Sequence, residues 1–196
     1  QMIAKGLDFP NTTLVGIINS DLGLYLPDFR SGERIFQLIY QASGRAGRKN
    51  KPGEVIIQSF VPENSTIYMA SKLNVIQYYE YELKERECLN YPPYSWLVKI
   101  EVTGLEERSV NKISNEIVKR FDNKFEGLEI LGPAPCFLER VKKRFRFQIV
   151  LKSLKINDQN GKLLHKFVDE NINSFKKKYP LKQNRINIHF DPLSLI

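Results

Sequence analysis

The residues best suited by type and spacing to do chemistry are Gln41-Ala42-Ser43-Gly44-Arg45-Ala46-Gly47-Arg48. Two arginines three residues apart can share one side of a helix, where planar guanidinium forks suit phosphate oxygens. Gly44 and Gly47 remove side-chain bulk and let backbone approach a ligand. An arginine held against a transferring γ-phosphoryl group stabilises charge developing in the transition state, worth roughly 10³–10⁵ in rate in other NTPases. The same letters also fit a solvated turn; their place after a buried strand favours phosphate. A second group, Lys5-Gly6-Leu7-Asp8-Phe9-Pro10, precedes that strand. Its Asp8 can face a ribose hydroxyl or an arginine, but on spacing alone the segment reads as a plain turn. The third group, Arg140-Val141-Lys142-Lys143-Arg144-Phe145-Arg146, packs five cations into seven residues. Such a run is either solvated or bound to an anion, and both readings fit. Lys176-Lys177-Lys178 says less, because a helix dipole favours cations at its C-terminus.

Elements that position these groups follow from the apolar pattern. Leu14-Val15-Gly16-Ile17-Ile18 and Val55-Ile56-Ile57 read as strands buried on both faces. Between them Ile35, Leu38, Ile39 and Ala42 mark a helix, with Ser31 as its expected cap. Strand, helix, strand with short connections predicts parallel α/β architecture. Residues from Asn64 to Cys88 read as helical, with Val75, Tyr79 and Leu83 on the apolar side, and Tyr91-Pro92-Pro93-Tyr94 ends the stretch.

Beyond the prolines lies a regular series. Strands are predicted at 98–102, 128–131, 145–151 and 186–190, and Gly132-Pro133-Ala134-Pro135 follows the second of them. Helices are predicted through Val110, Ile113, Ile117 and Phe121, and through Leu164, Phe167, Val168, Ile172 and Phe175. The order βαββαβ fits a ferredoxin-like sandwich with both helices on one face. The domains expected are 1–66, a helical connector over 67–94, and 95–196.

Charge divides the same way. The 196 residues carry a formal net charge of +8. Residues 1–95 hold ten basic and ten acidic side chains, whereas residues 96–196 hold twenty and twelve. The excess points to a polyanionic partner of the second part. Cys88 and Cys136 lack the spacing and number of a zinc site, and no metal ligands are predicted. His165 and His189 suit surface or packing roles. No apolar run approaches the roughly 20 residues of a membrane helix, and no signal peptide is visible, so a cytoplasmic protein without a membrane partner is expected. The start at Gln1, in mid-element, reads as a piece of something longer.

At this point a resemblance emerges. Gln-x-x-Gly-Arg-x-Gly-Arg at 41–48 resembles motif VI of superfamily 2 helicases, and Lys-Gly-x-Asp-Phe at 5–9 resembles their motif V. Leu26-Pro27-Asp28-Phe29-Arg30, Glu33-Arg34, Tyr91-Pro92-Pro93-Tyr94, Leu131-Gly132-Pro133-Ala134-Pro135, Arg144-Phe145-Arg146-Phe147-Gln148 and Asp191-Pro192 narrow the likeness. Together they resemble the primosomal protein N′ family of bacterial replication-restart helicases. The resemblance implies the trailing half of a second RecA-like lobe followed by the ferredoxin-like domain. It implies that Arg45 and Arg48 reach ATP phosphates, with Arg48 as the finger, and that Gln41 positions the γ-phosphate or attacking water. Gly6, Asp8, Gly44 and Gly47 would line the nucleotide site, with Asp8 near the ribose or the arginines. The family's small residue before Gly44 is Ser43 here.

Fork recognition, 3′→5′ unwinding, single-stranded and forked DNA, primosome proteins and the single-stranded-DNA-binding protein are implied in the same way. ATP, Mg²⁺ and zinc belong to the full-length family member. Within these 196 residues there is no Gly-x-x-x-x-Gly-Lys-Ser/Thr loop, Asp-Glu-x-His box or cysteine cluster. The chain by itself is therefore expected to be inactive as an ATPase. Lys142, Lys143, Arg144 and Arg146 are the candidate DNA contacts.

Two rivals lack a motor. An RNA-binding module needs aromatics on the open sheet face. Alternation instead puts Phe145 and Phe147 under the helices and leaves Lys99, Glu101, Arg146, Gln148, Lys152 and His189 opposite, without a stacking platform. A protein-docking module remains open.

Overall fold

The computed structural model describes residues 12–47, 53–121 and 124–196, which form a mixed α/β molecule with two sheets. The chain divides into two compact units between Glu85 and Arg86.

In the first unit β1 (Leu14–Ile17) leads through a 3-10 turn to α1 (Ser31–Ser43), and β2 (Glu54–Ile57) returns parallel to β1. This is the expected strand, helix, strand unit. Its strands differ from expectation: both alternate between exposed and half-buried residues, with Leu14 55% and Ile56 53% exposed. The described residues cover one face of these apolar strands. Ser31 also differs from its expected role, since Arg30 occupies the cap position without a side-chain bond. The Ser31 hydroxyl donates instead to the Leu26 carbonyl at 2.8 Å.

The helical stretch after Asn64 is two helices, α2 (Ser65–Ser71) and α3 (Val75–Cys88). Leu73, at φ 53°, breaks the path between them. Each start has an asparagine: Asn64 accepts from the Thr66 and Ile67 amides, and Asn74 accepts from Gln77. The apolar side of α3 is rotated from the expected one. Tyr78 is fully buried and stacks on Phe36 at 4.0 Å, while Tyr79 and Leu83 are exposed.

The second unit runs β3 (Ser95–Gly104), α4 (Glu107–Val118), β4 (Leu128–Val141), β5 (Arg144–Leu154), α5 (Lys162–Lys178) and β6 (Arg185–Phe190). Its sheet order is β4-β5-β3-β6, and every neighbouring pair is antiparallel. Val98, Ile100, Val102, Phe147, Ile149 and Leu151 meet Val110, Ile117 and the five predicted α5 residues in one core. The buried Asp158 carboxylate starts α5 by accepting from the Leu163 and Leu164 amides. β4 outruns its expected four residues: it passes through both prolines to Val141, with register shifts at Leu131/Ala134 and Pro135/Arg140. An edge strand tolerates proline because one side of its backbone has no partner to lose.

Candidate functional site

The motif of residues 41–48 sits where α1 ends. Gln41 is in the last turn of the helix and exposed, and Ser43 is its final residue. Gly44 then donates to the Tyr40 carbonyl, Arg45 to Ala42 and Ala46 to Ser43. Gly47, at φ 76°, turns the chain and donates its N–H to Thr12, just ahead of β1. Only glycine takes that conformation freely. Arg45 thus lies in a turn beyond the end of α1. Arg48 falls outside the described residues, as do Gly6 and Asp8.

Two consequences follow for a phosphate ligand. The C-terminal end of a helix carries negative partial charge, so among the described residues of the motif the positive charge comes from Arg45. Gln41 also lines a pocket of about 300 Å³ with Phe36, Gln37, Tyr40 and Tyr78. Arg45 does not line that pocket. Among the described residues no group of three or more His, Cys, Asp or Glu gathers to hold a metal ion.

Sequence elements around α1 hold it in place. Asp28 accepts from the Arg30 amide at 2.9 Å and pairs with Arg34 at 3.2 Å, while Arg30 pairs with Glu33 at 2.8 Å. The hydrogen bond to Glu33 raises the Arg30 pKa above its ordinary value. Asp21 joins the loops that follow β1 and β2 by accepting from the Phe60 amide at 2.9 Å and the Ser59 hydroxyl at 2.7 Å. These bonds, the amide's first, hold its carboxyl below the ordinary aspartate value.

The basic run of the second unit becomes the β4–β5 hairpin. Val141 pairs with Arg144, so Lys142 and Lys143 are the two residues of the turn, at φ 48° and 64°. Both lysines are exposed, and neither makes a salt bridge among the described residues. Arg140 lies 4.9 Å from the centroid of the Phe145 ring on the same rung. Arg144 and Arg146 are placed differently. Arg144 donates to the carbonyls of Gln183 at 2.5 Å and Thr103 at 3.4 Å. Arg146 forks onto Glu101 at 2.6 and 3.1 Å, and that hydrogen bond raises its pKa. The four candidates therefore separate into two free cations at the tip and two that hold the hairpin to the sheet.

The sheet face away from the helices is less open than alternation predicted. Lys99 is buried and donates to the Leu195 carbonyl at 2.8 Å. Lys152, also buried, reaches the Leu89 carbonyl at 3.0 Å and Glu129 at 3.2 Å, 4.3 Å from the Tyr91 ring. Burial first, then Glu101, pushes the Cys136 thiol up. Among the described residues, Lys99 and Lys152 on that face are thus bound to chain carbonyls, and Arg146 to Glu101. Sequence reasoning found the cations but missed the pairing, which needs β3 and β5 in register: Arg146 lies beside Glu101 because Gln148 is its partner.

The family model described as the primosomal protein N C-terminal domain matches residues 87–193. The replication restart protein PriA of Bacillus subtilis is 39% identical over 198 residues, covering 100% of this chain and 24% of that protein. Its namesake in Chlamydia pneumoniae is 39% identical over 84% of this chain and 22% of its own length. In Synechocystis the figures are 42%, 78% and 18%. The chain thus spans about a quarter or less of the length of these three relatives.

Proposed function

Because the chain belongs to the primosomal protein N C-terminal domain family, we propose that it serves replication restart as part of an ATP-dependent 3′→5′ DNA helicase. In this reading the first unit is the trailing part of a RecA-like lobe, supported by the parallel β1–α1–β2 arrangement. Gln41, Arg45 and Arg48 contribute to an ATP cleft completed elsewhere in the protein, together with Gly6, Asp8, Gly44 and Gly47. The second unit is a ferredoxin-like sandwich, supported by its sheet order and its antiparallel neighbours. The boundaries 1–66, 67–94 and 95–196 belong to the same proposal, as do a cytoplasmic place and primosome partners.

The observation that carries the DNA reading is the Lys142–Lys143 turn, two exposed cations at the tip of a hairpin without salt bridges among the described residues. Arg140 extends that charge along the strand. With three such cations neutralising phosphates, log K for duplex DNA falls against log salt with a slope of roughly −2 to −3. Lys142→Glu/Lys143→Glu flattens that slope towards zero. Fluorescence anisotropy of the 196-residue chain on labelled forked and linear DNA measures both, and an unchanged affinity in the double variant overturns the reading.

A further inference from the structure

The β4–β5 hairpin also carries an apolar feature that phosphate binding does not use. Between the pairs Pro135–Phe147 and Arg140–Phe145 the register slips, so that residues 136–139 stand opposite Arg146 alone. A bulge of this kind turns side chains out of the ladder. Cys136 goes inward and is buried, while Phe137 and Leu138 are 50% and 59% exposed. The bulge is anchored: Arg146 donates to the Leu138 carbonyl at 3.3 Å while its other nitrogens hold Glu101. All seven residues from Phe137 to Lys143 are exposed.

Phe137 stands apart in its unit. Of eight phenylalanines in residues 86–196, seven are in the core or packed against it, and Phe137 is not. Its surroundings say what it suits. From Phe137 to Arg146 the hairpin carries one acid, Glu139, and five cations. A protein partner with an apolar pocket would have to tolerate those cations, whereas a polyanion that exposes base faces attracts them. Continuous duplex keeps its bases stacked; a branch offers an open step, the kind of place where apolar side chains insert. Because the bulge sets Phe137 opposite Arg146, only the Arg140–Phe145 and Val141–Arg144 rungs separate it from the turn lysines, within reach of phosphates a few nucleotides away.

We propose that Phe137 and Leu138 form an apolar wedge that seats against an open base step of branched DNA, while Arg140, Lys142 and Lys143 hold the neighbouring phosphates. The proposal rests on the DNA reading of this hairpin. Its test uses the whole 196-residue chain and forked DNA carrying 2-aminopurine either at the branch or in mid-duplex. Wild type raises emission at the branch and not in mid-duplex. Phe137→Ala/Leu138→Ala abolishes that rise and weakens fork binding roughly tenfold, as expected for losing one base-stacking partner. Affinity for linear duplex stays the same. Phe137→Trp reports contact directly, because the chain's single tryptophan, Trp96, is packed on the core and supplies a constant background.

Outcomes separate the two readings. A double-alanine chain that binds forks and unstacks the branch like wild type overturns the wedge and leaves DNA binding by the lysines standing. Wild type that binds forks without any rise at the branch does the same. A wild-type chain that binds neither DNA overturns both.

Discussion

The two units of this chain bury apolar surface in different ways. Residues 86–196 gather fifteen buried residues into one core between a four-stranded sheet and two helices. Among its described residues the first unit gathers six, centred on α1, Met69 and Tyr78, while its two strands leave every second residue exposed. Charge follows the same division: residues 1–85 hold nine basic and nine acidic side chains, and residues 86–196 hold twenty-one and thirteen. The second unit thus packs its helices on its own sheet and carries the net positive charge. The first has strands whose sequence is written for cover on both faces.

The largest expected effect tests this contrast. Ile149, fully buried in the centre of the second sheet, should cost about 3 kcal/mol when cut to alanine, through lost transfer energy and the cavity left behind. Ile56, half-exposed in the first, should cost under about 0.5 kcal/mol. Urea unfolding followed by circular dichroism measures both. Equal losses would mean that β1 and β2 are as well covered as the second sheet.

How legible these features were depended on their range. Every buried residue predicted for α5 lies in the core, because seventeen residues give the 3.6 period several turns to declare itself. The α3 side was misread because its sequence interleaves aromatics and charges, so that Tyr78 and Tyr79 are equal candidates until Phe36 selects one. The division of the basic run had no local signal at all. Arg146 differs from Lys142 only through Glu101, forty-five residues away. Conformation of the turn was equally hidden, since two-residue hairpins announce themselves by Asn-Gly or Asp-Gly and this one is Lys-Lys.

That turn provides the second test, which sets stability against charge within one hairpin. A lysine with positive φ is strained, and here there are two in succession. Lys142→Asn/Lys143→Gly places the preferred residues in the same backbone and should stabilise the second unit by about 1 kcal/mol. The same change removes both free cations, so DNA affinity should fall as stability rises. Opposite movements in a urea titration and an anisotropy titration would show that the lysines occupy the turn for their charge. A chain that gains stability and keeps its affinity would move the interface away from the tip.

The smallest effect belongs to the first unit and depends on pH. The Phe60 amide and Ser59 hydroxyl hold the Asp21 carboxyl below its ordinary value of 3.8. A folded-state pKa below the unfolded one means that the unfolded chain takes up the proton first. Asp21 therefore contributes its full stabilisation above that ordinary value and loses it as pH falls through the lower folded one. Asp21→Asn keeps the shape and an acceptor oxygen but removes the titration, so the acid limb of the first unit should flatten while that of the second is unchanged. Circular dichroism during acid titration, with Trp96 emission reporting the second unit, distinguishes the two. If both limbs shift together, the units do not respond to acid independently, and the contrast in their packing does not extend to their unfolding.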